Sequence, residues 1–199
     1  MSDLRQATAT RSTKETQVTV TLCVDGTGQV AVSTGLPFFD HMLEQLGRHG
    51  GFDLAVDAKG DLAVDAHHTV EDVGIVVGQC MAEALGAKVG VRRFASALIP
   101  LDEALVEVAV DLSGRPFLAY DVPFAPDTPG LGSPPFDPQL GEEFWRALVT
   151  AAGITLHVRL RQGRNTHHIL EAAFKGVARS LRDAVRVEGG GIPSTKGSL

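Results

Sequence analysis

A five-residue pattern occurs twice, and it constrains the architecture of this chain more than any other feature. Residues 67–71 read His67-His68-Thr69-Val70-Glu71, and residues 167–171 read His167-His168-Ile169-Leu170-Glu171. The two copies lie half of a 199-residue chain apart, which is the mark of an internal duplication. Each copy opens a stretch with amphipathic helical spacing, through residue 85 in the first half and residue 185 in the second. On a helix, a His and a Glu three or four positions apart share one face, while the adjacent His points about 100° away. Each motif can therefore offer one His and one Glu to one metal ion and its second His to another. Four His and two Glu of this kind, brought together, make a two-metal site.

The flanking segments repeat in the same order. In the first half, residues 15–24 alternate as a half-buried strand, Asp25-Gly26-Thr27-Gly28 signals a hairpin turn, and residues 29–33 read as the returning strand. Residues 38–49 have helical spacing and carry His41. Short strands follow at 52–59 and 62–65. The second half begins near Phe94, so the repeats span about 1–93 and 94–199 of a single domain. A strand at 105–112, a turn at Ser113-Gly114-Arg115-Pro116, a strand at 117–122, a helix at 142–152 and a strand at 154–160 lead to the second motif. Residues 1–14 are polar and read as loose. The six prolines between Pro123 and Pro138 rule out a helix or central strand there and suggest a surface insertion.

Aligning the halves nominates two more ligands. His41 precedes Leu54 by 13 residues, and Glu143 precedes Leu156 by 13, so Glu143 is the repeat partner of His41. His157 aligns with Ala55 and reads as a structural or supporting strand residue. Imidazole and carboxylate donors without thiolate suit Mn²⁺, Fe²⁺, Co²⁺ or Zn²⁺. Eight ligands over two six-coordinate ions leave positions for substrate, which favours Mn²⁺ over tetrahedral Zn²⁺. By themselves these residues also fit a binuclear metallohydrolase or a metal-storing assembly.

Composition narrows the setting. A 44% hydrophobic content is enough for one buried core. No apolar run is long enough for a membrane helix, and the polar first 17 residues carry no signal-peptide core, so a cytoplasmic protein with no membrane role is expected. Cys23 and Cys80 read as buried small hydrophobes. A net charge of -6 argues against nucleic acid as a partner, but not against a small anion held by local Arg and Lys.

Five stretches carry a family resemblance: Phe38-Phe39-Asp40-His41-Met42-Leu43, Ala66-His67-His68-Thr69-Val70-Glu71-Asp72, Asp111-Leu112-Ser113-Gly114-Arg115-Pro116, His167-His168-Ile169-Leu170-Glu171-Ala172 and Pro193-Ser194-Thr195-Lys196-Gly197. In this order they resemble the imidazoleglycerol-phosphate dehydratases, histidine-biosynthesis enzymes that convert D-erythro-imidazole glycerol phosphate to imidazole acetol phosphate. The resemblance implies an α/β fold of two duplicated halves, each a four-stranded sheet covered by helices as in the second domain of ribosomal protein S5. It also implies a 24-subunit homo-oligomer with two Mn²⁺ per active site, between subunits. The implied metal ligands are His41, His67, His68, Glu71, His167, His168 and Glu171, with Glu143 standing where the family commonly has a His. Glu15 is the implied acid/base beside the substrate diol, and Glu71 and Glu171 join it as catalytic candidates. Arg93, Arg115, Lys175, Ser194 and Lys196 match phosphate-binding positions, and Gln45, one turn beyond His41, is placed to face the same cavity.

Overall fold

In the computed structural model, which describes residues 4–197 and 199, the duplication is visible as two four-stranded sheets of identical topology. The first half contains strands β1 (Gln6–Ser12), β2 (Thr16–Cys23), β3 (Val30–Ser33) and β4 (Asp53–Gly60), with helices α1 (Pro37–Gly50) and α2 (His67–Leu85). The second contains β5 (Phe94–Leu101), β6 (Ala104–Asp111), β7 (Phe117–Asp121) and β8 (Thr155–Gln162), with α3 (Leu140–Ala152) and α4 (Thr166–Ala184). The sheet orders are β1-β2-β4-β3 and β5-β6-β8-β7. Among the described residues, no helix is long and apolar enough to cross a membrane.

The helices of each half cover one face of its own sheet, and the two helical layers meet in the middle: α1 packs on α4, and α2 on α3. Each half thus lends its first helix to the other half's motif helix. Strand alternation drives this arrangement, since Val18, Val20 and Leu22 of β2 and Val106, Val108 and Val110 of β6 face the buried helical layers. Aromatic rings fill the centre, with Phe144 stacked on Phe174 at 5.5 Å and Trp145 against Phe174 at 4.6 Å. At the α2–α3 crossing, Gly74 and Gly78 admit the facing backbone; a Cβ at Gly74 would lie 2.7 Å from the Phe144 carbonyl oxygen. Helices α1 and α3 end at repeat-related glycines in the left-handed region, Gly51 (φ 68°) and Gly153 (φ 62°), where other residues would be strained.

Several sequence expectations are corrected here. The stretch read as loose contains β1, whose pairing with β2 runs from Gln6↔Cys23 to Ser12↔Gln17; its small and polar residues supply an edge rather than a core pattern. Residues 1–3 of that stretch lie outside the described residues. Segment 25–28 does not close a hairpin, because β3 pairs in parallel with β4 instead of returning along β2. Asp53 explains the geometry: its carboxylate accepts from the backbone N–H groups of Thr27 and Gln29 at 2.8 and 2.9 Å, steering the chain past β4. Residues 62–64 form a turn in place of the expected strand at 62–65, and the edge strand β5 fills a segment that alternation alone did not mark. The proline-rich loop is anchored, not a simple surface insertion, because Phe136 is fully buried and lies 5.5 Å from Phe38 and 5.7 Å from Phe39.

Candidate active site

Both motifs begin their helices, and capping side chains fix their first turns. Asn165 accepts from the backbone N–H groups of His167 and His168, while Asp65 accepts from that of His67 at 2.8 Å. The two imidazole pairs are near copies, with ring centroids 6.2 Å apart in each and planes at 83° and 82°. The first His of the second motif then turns toward its Glu, and the second His turns away.

The crossing of α1 over α4 completes the second motif with a residue from the first half. His41, His167 and Glu171 bring one donor atom each to within 4.8 Å of one another. The Glu171 carboxylate lies 2.9 Å from His167 Nε2, 3.3 Å from His41 Nε2 and 2.6 Å from Lys175 Nζ. Burial works to raise the Glu171 carboxyl, but hydrogen bonds from Lys175 and His41, with the Lys175 charge and His167, outweigh it and hold it at about 2. Gln45 is buried and sits 3.4 Å from His41 Nδ1, steering the ring's other nitrogen toward Glu171. This set of two imidazoles and one carboxylate has the donor chemistry and spacing for a divalent ion of the Mn²⁺ or Fe²⁺ type.

The second histidines have separate partners. His168 Nδ1 lies 2.8 Å from Glu103, and His68 Nδ1 lies 3.1 Å from Asp61 and 3.8 Å from Glu15. The neighbouring carboxylates raise both imidazoles above the ordinary histidine range: Asp61 foremost for His68, Glu103 foremost for His168. Glu103 is itself held at about 2, first by His168 and then by the backbone N–H groups of Asn165 and Arg164.

The first motif is more open. Glu71 is exposed and, among the described residues, forms no hydrogen bond or ion pair, and Glu143 of α3 has Arg146 as its ion-pair partner, at 3.5 Å. His67 lines a cavity of about 460 Å³ with Asp65, Leu62 and the proline loop's Pro134 and Pro135. The structure thus unites His41, His167 and Glu171, whereas His67, Glu71 and Glu143 do not form such a group. His157 lies on β8, the strand position expected, with its ring 5.8 Å from Phe117.

Four of the five phosphate candidates come together. Arg93, Arg115, Ser194 and Lys196 line one open cavity of about 600 Å³ with Pro193, Thr195 and Leu199. Lys175 is not among its lining residues and pairs with Glu171 instead. The glycine-rich tail is tethered by a bridge between Val91 and Val187 and by Gly90 N–H donating to Gly191. Arg93 binds Asp111 through two nitrogens, at 2.7 and 3.2 Å, and donates to the Pro193 carbonyl, thereby fixing the tail beside Arg115. Asp111, Asp61 and Glu103 were not named as site residues in the sequence. Only the register offered a signal for Glu103: Leu22 and Val110 both face the strand before a motif, at Leu54 and Leu156, and seven residues back from each stand Glu15 and Glu103.

Comparison with known proteins identifies the family. A family model described as imidazoleglycerol-phosphate dehydratase matches residues 34–181. The imidazoleglycerol-phosphate dehydratase of Acidothermus cellulolyticus is 57% identical over 98% of this chain and 93% of its own length, and that of Gluconacetobacter diazotrophicus is 54% identical over the full length of both. The Staphylococcus aureus crystal structure superposes with a TM-score of 0.80 at 36% identity, covering 92% of this chain and 99% of that one. The Pyrococcus furiosus structure gives 0.81 at 36%, covering 96% and 100%. The duplicated motif helices, the fold that pairs them across the halves and these full-length likenesses lead to one conclusion: the chain belongs to the imidazoleglycerol-phosphate dehydratase family, whose members are hydro-lyases.

Proposed function

We propose that this protein removes water from D-erythro-imidazole glycerol phosphate to give imidazole acetol phosphate, in the cytoplasm, as the histidine-biosynthesis step of its family. The reading includes two Mn²⁺ per active site, a 24-subunit homo-oligomer with active sites between subunits, and no nucleic-acid or membrane partner. One observation carries it: the His41, His167 and Glu171 donors converge within 4.8 Å from helices of two halves. No catalytic use is needed for such a group in a plain structural repeat.

His41, His167 and Glu171 would hold one ion, and His67, Glu71 and Glu143 offer the repeat-related donors for the other, with His68 and His168 held by Asp61 and Glu103. When bound, the ions supply Lewis acidity toward the substrate's imidazole. The remaining work belongs to the side chains. Arg93, Arg115, Ser194 and Lys196 hold the phosphate as fixed cations and hydroxyl, orienting the diol. Glu15 is 55% exposed on the β1–β2 turn, so its carboxylate is free to reach substrate and move the proton lost from carbon as the hydroxyl leaves as water. Loss of water gives an enol, which becomes the ketone of the product.

The test is turnover by metal-stripped protein with and without Mn²⁺. Activity that returns only with the ion supports the reading; none at any Mn²⁺ concentration from folded protein sinks it. Arg115→Ala separates catalysis from metal storage, since it should raise KM for substrate while leaving bound Mn²⁺ unchanged.

A further inference from the structure

The turn between β5 and β6 holds a carboxylate that the mechanism above does not use. By register Glu103 is the second-half copy of Glu15, yet the two are employed differently. Glu15 is 55% exposed and only approaches His68, at 3.8 Å. Glu103 is fully committed. Its Oε1 accepts from the backbone N–H groups of Arg164 and Asn165 at 3.1 and 2.7 Å, and its Oε2 lies 2.8 Å from His168 Nδ1.

Those contacts link three things that need to be in register: the β6 turn, the residue that caps α4, and the His168 ring. Asn165 in turn accepts from the His168 backbone N–H at 3.3 Å, so both the main chain and the ring of His168 are tied to one carboxylate-centred cluster. A carboxylate at Nδ1 sets the tautomer with that nitrogen protonated and Nε2 carrying the free lone pair. Nε2, the ring's other nitrogen, lies 3.8 Å from Asp102, which is 77% exposed. In the first half the same duty on His68 Nδ1 falls to Asp61, at 3.1 and 3.2 Å, which leaves Glu15 unencumbered.

We infer that Glu103 is a positioning residue that fixes His168 with Nε2 presented for a divalent ion, and that the duplicated carboxylate has split its roles, one copy to move protons and one to aim a ligand. The inference rests on the metal-site reading above. Its test is Mn²⁺ binding to the metal-stripped full-length protein, followed by the electron paramagnetic resonance signal of free Mn²⁺. Glu103→Gln keeps the volume but supplies one acceptor oxygen where two are used. It should weaken the affected site roughly 10- to 100-fold, the usual effect of removing a carboxylate behind a metal-bound His. Asn165→Ala, which strips the helix cap without touching the ring, should lower thermal stability with an unchanged Mn²⁺ isotherm. Wild-type affinity in Glu103→Gln would overturn the inference, as would an equal loss of affinity in both variants, which marks a structural effect. If Glu103→Gln does not fold, Glu103→Asp replaces it, being too short to span backbone and ring together, with the same loss expected. A wild-type protein that binds no Mn²⁺ would instead overturn the metal-site reading itself.

Discussion

The two motif sites are copies in sequence but not in charge. In the second half, Glu171 is gathered by His41, His167 and Lys175, so one carboxylate meets two imidazoles and an ammonium. In the first half, Glu143 replaces the imidazole of His41, and Ile75 stands where Lys175 would be. Glu143 pairs with Arg146 of its own helix at 3.5 Å, and Glu71 is left exposed without an ion-pair partner among the described residues. Two carboxylates brought onto one site repel each other unless a cation joins them. The second-half donors are thus already gathered by protein contacts, whereas those of the first half are not. Duplication copied the fold and let the electrostatics diverge.

The halves also differ in their connections. Three residues join β3 to α1, but eighteen join β7 to α3, and that longer loop reaches across to the first half. Phe136 stacks on Phe39 and touches Phe38, whose ring is 5.2 Å from His167. Phe136→Ala should therefore cost about 3–5 kcal/mol, as for other fully buried aromatics, in urea or thermal unfolding. A loss below about 1 kcal/mol would show that the loop only drapes over the surface.

The charge difference can be broken next. In metal-free protein, Glu171→Gln should lower stability by roughly 1–2 kcal/mol, allowing for the half-exposed imidazoles it serves, while Glu71→Gln should cost nothing measurable. Equal losses in thermal melts would erase the contrast between a preassembled and an open site. Ile75→Lys sharpens it by restoring the missing cation one turn beyond Glu71. Calorimetric titration should then show Mn²⁺ bound about tenfold more weakly at that site, or ~1.4 kcal/mol. That is well within the roughly 4 kcal/mol that two charges 4 Å apart exchange at an effective dielectric near 20.

The smallest effect concerns a tie between the halves. Arg5 pairs with Asp25 at 2.6 Å and donates to the Val185 carbonyl just beyond α4. Its hydrogen bond holds the Asp25 carboxyl below the usual 3.8. The contribution is therefore present above that pH and is lost as the solution is acidified below it. Arg5→Ala should cost about 0.5–1 kcal/mol at neutral pH, a difference that shrinks in acid-unfolding curves as Asp25 protonates. A penalty that is constant with pH would assign the effect to packing.

The local elements of the site were legible because they depend on neighbours in the chain. The period of the motif helices and the start of each helix at its motif follow from adjacent residues. Edge strands β1 and β5 were missed because one exposed face and a ladder partner on one side leave little hydrophobic alternation to read. The hairpin reading of 25–28 failed because a turn signal specifies a reversal but not which strand receives the next one. Phe136 was hidden among prolines, and burial of a single ring in a loop has no period.

What the sequence determined by itself is the duplication, the helical placement of both motifs and the imidazole and carboxylate side chains that each carries. Tertiary structure decided which of those residues meet. His41 joins Glu171 because α1 crosses onto the other half's motif helix, and Glu103 reaches His168 because a turn 65 residues away is folded beside it. Such pairings are set by how two sheets stack through their helices, a long-range packing term that spacing along the chain does not encode.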